Sequence, residues 1–320
     1  MDFTKMTGAG NDFIVLEVDG GLLPGAEVIR LLCDRRYGIG ADGLMIINPL
    51  DGGGAGAVAG GAREAFSVDF YNADGSGGML CGNGARCALV YAAGRGFFDY
   101  GKPVDFTFAG RLYSGTALDP DSARFMLDPH YTTRLEEGIK AGKVSAKGRY
   151  VDLGSLHLVV DLADLDYVSD GSDGSGGYDG YAGCGRSRNS SIQASRPQEL
   201  SLDQLDVAGL GAALRNHTRF APEGVNVSFC SLAEGRLHIR TFERGVEGET
   251  LACGTGSTAS ALSYALRGLL QAPVHIMTRG SEELIIDFDD PAKPSRLSLE
   301  GPAKTVFEGQ MDPAYFLRGA

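Results

Sequence analysis

Short apolar or alternating runs bounded by glycine recur along the whole chain, and this pattern predicts β-strands. Apolar residues spaced three and four apart are confined to a few longer segments, which predict helices. The predicted strands are residues 13–16, 44–47, 66–71, 104–108, 156–160, 225–229, 237–242 and 284–288. The predicted helices are residues 27–37, 83–94, 202–216 and 256–268. Strands dominate, so the fold class predicted is α+β, with a mainly antiparallel sheet around a few helices.

The most informative pattern is an internal echo. Cys81 begins the motif C-G-N-G and Cys253 begins C-G-T-G, and each motif opens a predicted helix that ends at an Arg-Gly pair. The two cysteines are 253 − 81 = 172 residues apart, which is about half of the 320-residue chain. Such a repeat predicts two related domains, each presenting one C-G-x-G turn at the start of a helix.

A cysteine at the start of a helix meets unpaired backbone N–H groups and the positive end of the helix dipole. We therefore expect a lowered thiol pKa, close to neutrality. The glycines that follow allow backbone amides to approach a carboxylate. If a pseudo-twofold axis brings the helix starts face to face, Cys81 and Cys253 lie on opposite sides of one α-carbon. A thiolate can then remove a proton from one face while a thiol delivers one to the other.

Composition and charge exclude several other classes of protein. Glycine supplies 48 of the residues, but there is no G-X-Y period and there are only 12 prolines, so the chain is not collagen-like. Much of the excess lies in residues 51–62 and 169–193, which we expect to be surface loops. A net charge of −12 disfavours nucleic acid and anionic membranes as partners.

The remaining features favour a cytoplasmic protein without metal or cofactor. No stretch approaches a membrane helix in length, and no apolar segment of a signal peptide follows the N-terminus. The six cysteines form no C-x-x-C pair, so a zinc site is not expected and free thiols are. Nothing in the sequence indicates a pyridoxal-phosphate site. A cofactor-free enzyme would have to stabilise a carbanion with dipoles and by excluding water.

Five sequence blocks carry a resemblance to a known family. They read KMTGAGNDFIV, DRRYGIGADGL, YNADGSGGMLCGNGARC, PEGVNVSF and ERGVEGETLACGTGS, in this order within residues 5–257. The chain resembles the diaminopimelate epimerases, pyridoxal-independent isomerases that interconvert LL- and meso-diaminopimelate in bacterial lysine and peptidoglycan synthesis. The two cysteine blocks are highly specific together, whereas neither would be specific alone.

The resemblance implies a role for each matching residue. Cys81 and Cys253 would be the catalytic acid and base. The substrate would be bound by Asn11, Asn72, Gly82, Asn83, Asn226, Glu243, Arg244, Gly254 and Thr255. Ser155 and His157 match positions near the family's site and are secondary candidates. Arg244 suits a distal carboxylate, because a guanidinium group can bind a carboxylate through two hydrogen bonds.

The resemblance also implies an architecture. It consists of two pseudo-symmetric domains, each a barrel-like antiparallel sheet around a central helix, with the active site in the cleft between them. Residues 1–128, completed by residues 304–320, would form the first domain, and residues 129–303 the second. A homodimer is a further expectation. The chain departs from the family where Thr7 replaces a usual histidine and Leu156 a usual proline, which bears on substrate specificity.

Three alternative functions remain open at this stage. The chain could be a racemase or epimerase of another amino acid, such as the similar proline and hydroxyproline enzymes. Arg244 discriminates here, because only a substrate with a second carboxylate needs it. The chain could also be a non-catalytic amino-acid-binding relative or a thiol redox sensor, and a sensor would form a reversible disulfide without exchanging a proton.

Overall fold

The computed structural model describes residues 1–17, 24–50, 64–77, 80–167, 201–312 and 314. The two glycine-rich segments predicted to be surface loops, residues 51–62 and 169–193, lie outside this described part. Its α-helices are α1 (Ala26–Cys33), α2 (Gly82–Gly94), α3 (Val207–Arg215) and α4 (Gly254–Leu266).

The strands fall into two halves of the chain. The first seven strands are β1 (Asp2–Gly8), β2 (Asn11–Leu16), β3 (Gly43–Pro49), β4 (Glu64–Asn72), β5 (Val104–Phe108), β6 (Arg111–Asp119) and β7 (Ser122–Met126). The next five are β8 (Thr132–Ala141), β9 (Val144–Asp152), β10 (Leu156–Asp161), β11 (Leu165–Tyr167) and β12 (Asn226–Ala233). The last six are β13 (Arg236–Glu243), β14 (Gly248–Thr250), β15 (Val274–Met277), β16 (Glu283–Phe288), β17 (Leu297–Pro302) and β18 (Lys304–Gln310).

The two halves repeat one topology. In the first half the paired strands run β18-β1-β2-β3-β4-β5-β6-β7. In the second half they run β8-β9-β10-β12-β13-β15-β16-β17, and every pair has the same direction as its counterpart. The antiparallel pair β7–β17 joins the halves into one sheet system. The predicted fold class, a sheet-dominated α+β protein with two pseudo-symmetric halves, is confirmed.

The chain crosses between the halves twice. After β7 it continues into β8, which pairs within the second half, and after β17 it continues into β18, which pairs with β1. The predicted boundary at residues 128 and 129 lies in the connection between β7 and β8. That boundary, and the assignment of residues 304–320 to the first domain, stay predictions.

Each half wraps its sheet around one central helix. Helix α2 packs against β1, β2, β3, β6, β7, β17 and β18, and α4 packs against β9, β10, β12, β13, β15 and β16. Almost all residues of both helices are buried, and neither helix has a polar face. A helix buried on all sides needs small residues where the sheet approaches closely. Alanine, glycine and serine fill much of both helices for this reason.

The far ends of the central helices are anchored alike. Each helix carries a tyrosine and an arginine that both donate hydrogen bonds to one carboxylate, on Glu17 for α2 and on Asp161 for α4. The donors are Tyr91 and Arg95 in the first half and Tyr264 and Arg267 in the second. This shared anchor extends the pseudo-symmetry from the backbone to side chains.

Several boundaries differ from the predicted ones because side chains bond to the backbone. The helix predicted over residues 27–37 ends at Cys33, because the Asp34 carboxylate accepts the N–H groups of Arg36 and Tyr37 and closes a turn. The helix predicted over residues 202–216 is divided. Residues 202–204 form a 3-10 turn, and α3 begins only after Asp206, whose carboxylate caps the Gly209 N–H at 2.9 Å.

The hydrophobic pattern also misses ten of the 18 strands found in the described ranges. Strands β8 and β18 show why, because most of their residues are exposed and few point into a core. Within the described part of the chain, no helix is long and apolar enough to cross a membrane.

Strand β1 approaches the first turn of α2 so closely that only glycine fits at position 8. A Cβ atom there would lie 2.9 Å from the Asn83 carbonyl oxygen and 2.9 Å from Cys87 Sγ. We expect Gly8→Ala to lower the free energy of unfolding by roughly 1 to 3 kcal/mol through overpacking. The control is Gly248→Ala, where a Cβ atom meets nothing within 4 Å. Equal stability of the two variants in chemical denaturation would contradict this packing.

Candidate active site

Cys81 and Cys253 occupy the same position in the two halves, immediately before a central helix. Their backbone angles are nearly identical, with φ −117° and ψ 107° for Cys81 and φ −120° and ψ 111° for Cys253. Each sulfur accepts the N–H three residues later, from Gly84 at 3.4 Å and from Gly256 at 3.3 Å. Each thiol therefore serves as the N-cap of its helix.

The two helix starts converge on one leucine of β17. A Cβ atom on Gly82 would lie 3.3 Å from Leu299 Cδ2, and one on Gly254 would lie 2.8 Å from the same atom. The position on Gly254 is also 3.7 Å from Asn83 Oδ1, a side chain of the other helix start. The two helix starts therefore lie close together at Leu299, and the placement of the two cysteines on opposite sides of one α-carbon stays a prediction. The glycines keep Leu299 and the two backbones in close contact.

Burial dominates the acidity of both sulfurs. Cys253 is only 8% exposed and Cys81 is half-buried, and loss of water raises the pKa of both thiols. Bonds from Asn83 and Gly84 to Cys81, and from Gly256 to Cys253, act in the opposite direction. The predicted net lowering of the thiol pKa is wrong here, because desolvation of the sulfur outweighs the helix amides.

Glu243 adds a negative charge beside the cysteines. Its carboxylate accepts a hydrogen bond from the Thr250 hydroxyl and is also hydrogen-bonded to Cys253. Burial raises the pKa of Glu243 itself. When ionised, this carboxylate raises the pKa of both catalytic candidates, Cys253 and Cys81. Glu243 thus touches the second half's thiol and acts electrostatically on the first half's thiol.

Two predicted residues of the first half meet at the start of α2. The Asn83 side-chain amide donates to Asn11 Oδ1 at 2.6 Å, and the Asn11 amide donates to Asp42 at 3.0 Å. Asn72 lies at the end of β4, opposite Gly43 of β3, and its side chain bonds to Ser76 at 3.0 Å in its own turn. Asn11 and Asn83 are therefore brought together, whereas the Asn72 side chain is hydrogen-bonded within its own turn.

Three predicted residues of the second half are joined by hydrogen bonds. The Asn226 amide donates to Ser155 Oγ at 3.1 Å and to the Leu156 carbonyl at 2.9 Å. Its side-chain oxygen accepts the backbone N–H of Arg244 at 2.8 Å, which holds the backbone in place directly after β13. Ser155, Asn226 and Arg244 are thus held together, and Leu156 contributes a carbonyl that a proline would also offer.

His157 connects the neighbouring strand to the second cysteine. It is fully buried beside Asn226 in the sheet, and its Nε2 lies 3.0 Å from Thr255 Oγ1. Thr255 Oγ1 is in turn 3.6 Å from Cys253 Sγ. Burial, together with the nearby Arg244 charge, lowers the pKa of His157 to about 3, so the ring is neutral. Its Nδ1 has no hydrogen-bond partner among the groups described.

Sequence reasoning assigned no role to two further side chains at this site. Arg86, inside the C-G-N-G-A-R-C block, is fully buried and donates to Gly82 O at 3.2 Å and Asn83 Oδ1 at 2.8 Å. Asp42 receives the Asn11 amide. The signal for Arg86 was visible, because an arginine in the middle of an otherwise apolar helix is rarely buried without a partner.

The arrangement offers a defined chemistry. Two thiols sit at neighbouring helix starts whose first amides have no partner within the helix. The half-buried carboxylate of Glu243 adjoins the second thiol, and Thr255 links that thiol to the neutral ring of His157. Among the residues described, no group of three or more His, Cys, Asp or Glu side chains could hold a metal ion. The groups present are suited to binding an acidic ligand and moving a proton beside it.

The chain is similar in sequence to known proteins. The family model described as diaminopimelate epimerase matches residues 3–112 and 199–306. The diaminopimelate epimerase of Chlorobaculum tepidum is 34% identical over 308 residues, covering 95% of this chain and 98% of that protein. The diaminopimelate epimerase of Aquifex aeolicus is 32% identical over 323 residues, covering 97% and 98%.

Solved structures share the fold at much lower identity. A PhzF-family phenazine biosynthesis protein of Bacillus anthracis superposes with a TM-score of 0.63 at 11% identity, covering 98% of this chain and 99% of that one. A hydroxyproline epimerase of Agrobacterium vitis, with bound trans-4-hydroxy-L-proline, gives 0.60 at 14% identity, covering 99% and 94%. Because the family match includes both cysteine turns and the relatives extend along nearly the whole chain, this chain belongs to the diaminopimelate epimerase family.

Proposed function

We propose that the protein is a diaminopimelate epimerase, a cofactor-independent isomerase that interconverts LL- and meso-diaminopimelate. The observation that carries the proposal is the pair Cys81 and Cys253, each capping a central helix that begins beside Leu299. Membership of the family supplies the substrate. The fold repeat supplies the two-sided chemistry that inversion at one carbon requires.

Binding of the reacting carboxylate is assigned to backbone amides. The first turns of α2 and α4 have N–H groups without partners inside their helices, at Gly82 with Asn83 and at Gly254 with Thr255. Amides from two converging helix starts place two positive dipole ends on one carboxylate. They also stabilise the negative charge that grows toward that carboxylate when the α-proton leaves.

The proton balance needs one thiolate and one thiol. The thiolate of one cysteine takes the α-hydrogen and becomes a thiol, leaving a carbanion. The thiol of the other cysteine gives its proton to the opposite face and becomes the thiolate, so that the reverse reaction uses the same groups in exchanged roles. An α-hydrogen is a weak acid, so a buried thiolate with a raised pKa is a stronger base toward it, although fewer molecules hold it at neutral pH.

Arg244 is assigned to the distal carboxylate. Its guanidinium group is half-buried, makes only a 3.5 Å bond to the Glu223 carbonyl, and has no carboxylate partner within the described part of the chain. Asn226 fixes its backbone. A cation held in this way suits a substrate with a second carboxylate, which favours diaminopimelate over proline or hydroxyproline. Asn11, Asn72, Ser155 and His157 complete the proposed polar surround.

The proposal extends to context and assembly. It includes a role in lysine and peptidoglycan biosynthesis, a cytoplasmic location and a homodimer, each based on the family resemblance. It also includes the division into residues 1–128 with 304–320 and residues 129–303. Light scattering of the purified protein tests the dimer, and a monomer at catalytic concentrations would remove that part alone.

Loss of either cysteine should abolish inversion. Cys81→Ala and Cys253→Ala are each expected to slow conversion of LL- to meso-diaminopimelate by at least about 100-fold, because each removes one of two proton carriers. The control is Cys33→Ala, which removes a buried thiol at the end of α1. Chiral chromatography of the products gives the rates. Comparable turnover by both variants would sink the two-thiol assignment.

Glu243 should control the pH dependence. The rate falls at low pH when the thiolate is protonated, and the Glu243 charge raises the pKa of both thiols. Glu243→Gln removes that charge, so the thiol pKa falls and the acidic limb of the profile should move to lower pH. Glu247→Gln, an exposed carboxylate paired with Arg215, is the control and should leave the limb in place. A limb that moves upward in Glu243→Gln would contradict the assignment.

Arg244 should set substrate choice. Arg244→Met is expected to raise KM for diaminopimelate at least about tenfold, since a charge-assisted pair to the distal carboxylate is lost. Arg236→Met, at an exposed arginine that begins β13, the strand that ends just before Arg244, serves as the matched control. Steady-state kinetics measure both. An unchanged KM, or efficient racemisation of proline by the unaltered protein, would favour the monocarboxylate alternative.

A further inference from the structure

The two thiols share the negative charge of Glu243, but only Cys81 also has a positive charge acting on it, that of Arg86. Arg86, on α2, is 0% exposed, and no carboxylate lies within salt-bridge distance of its guanidinium group among the residues described. Its Nε has no hydrogen-bond partner in the same set. An arginine stays charged even when buried. The first half therefore contains a cation in its core that is held only by neutral groups.

The second half has the same contact without the charge. Thr258 follows Cys253 by five residues, as Arg86 follows Cys81, and its hydroxyl donates to the Gly254 carbonyl at 2.9 Å. Arg86 donates to the corresponding carbonyl, that of Gly82, at 3.2 Å. Both side chains thus support the first turn of their helix. Because a neutral hydroxyl is enough to support the first helical turn, the positive charge of Arg86 must serve another role.

The anion of the site, Glu243, acts on both thiols but is bonded only to Cys253. Glu243 is hydrogen-bonded to Cys253, so the thiol nearest to the carboxylate is the one without a neighbouring cation. Burial has the largest effect on Cys81 and, together with the charge of Glu243, raises its pKa, whereas the charge of Arg86 lowers it. The charge of Glu282 acts on Arg86 without a bond to it, and its Oε2 is buried and unpartnered among the described groups.

We propose that Arg86 is a positioning residue that holds the first turn of α2 and favours the thiolate form of Cys81, whereas Glu243 keeps Cys253 as the thiol. The resting protein would then be polarised, with its base on the first half and its acid on the second. This inference rests on the proposed function for its purpose, because a polarised pair is ready to act on one of the two substrate isomers without a preceding proton shift.

Arg86 also acts through Asn83. Its Nη2 donates a hydrogen bond to Asn83 Oδ1 at 2.8 Å. With its oxygen bound in this way, the Asn83 side chain directs its amide group toward Asn11 Oδ1 and donates to it at 2.6 Å. The charge on the guanidinium group strengthens the first of these bonds and orients the second. The same side chain therefore couples the charge beside Cys81 to the geometry of the residues proposed to bind substrate.

The test measures the two cysteines directly and without substrate. The full-length protein is alkylated with iodoacetamide across a pH series, and peptide mapping by mass spectrometry gives the rate for Cys81 and Cys253 separately. In the unaltered protein we expect the Cys81 midpoint to lie below that of Cys253. In Arg86→Met the Cys81 midpoint should rise by about one pH unit or more, and that of Cys253 should rise less.

Two further variants keep the result interpretable. Thr258→Val removes the matching hydrogen bond without changing charge and should leave the Cys81 midpoint in place. Arg86→Lys keeps the charge and should hold the midpoint near that of the unaltered protein, even if Arg86→Met does not fold. A full-unit rise in Arg86→Lys, or no rise in folded Arg86→Met, would overturn the inference. Because no substrate is present, either outcome is independent of whether diaminopimelate is epimerised.

Discussion

The protein depends on the convergence of two helix starts that are related by an internal repeat. Each central helix is enclosed by its own sheet, and the β7–β17 pair joins the sheets where the helices begin. Leu299 of β17 contacts the first glycine position of both helices, so the junction itself sets the separation of the two cysteine turns. A proton can be exchanged between two faces of one carbon only if this convergence is maintained, and the exchange of β8 and β18 between halves secures it.

The two cysteines have the same backbone geometry but different charged neighbours. The two cysteines share their backbone angles and their cap geometry, yet Arg86 lies near one and Glu243 is bonded to the other. Burial makes thiolate formation costly at both positions, which increases basicity toward a weak carbon acid at the expense of thiolate population. Two neutral groups, His157 and Thr255, adjoin Cys253 without adding charge. The site therefore combines symmetric geometry with asymmetric charge, which suits a reaction that is chemically symmetric but must begin from one side.

Local sequence patterns predict the parts of the structure that depend on residues adjacent in the chain. The C-G-x-G turns, the central helices and eight of the strands are of this kind, and the repeat of 172 residues predicts the pseudo-symmetry. The missed strands depend on pairing with distant segments, as β18 does with β1. The early end of α1 and the late start of α3 depend on single aspartate side chains. The thiol pKa was mispredicted because burial by the surrounding sheet, which no local motif reports, outweighs the helix amides.

The central claim is that two thiols act on opposite faces of one α-carbon, and the position of an isotope in early turnover tests it most directly. LL-diaminopimelate carrying protium is converted in deuterium oxide, and product and remaining substrate are analysed by mass spectrometry before the reaction approaches equilibrium. The account predicts that each new meso-diaminopimelate molecule carries one deuterium at the inverted carbon, while the remaining LL-diaminopimelate keeps its protium. Product that retains the protium of the substrate would show that a single group removes and returns the proton, which contradicts the account.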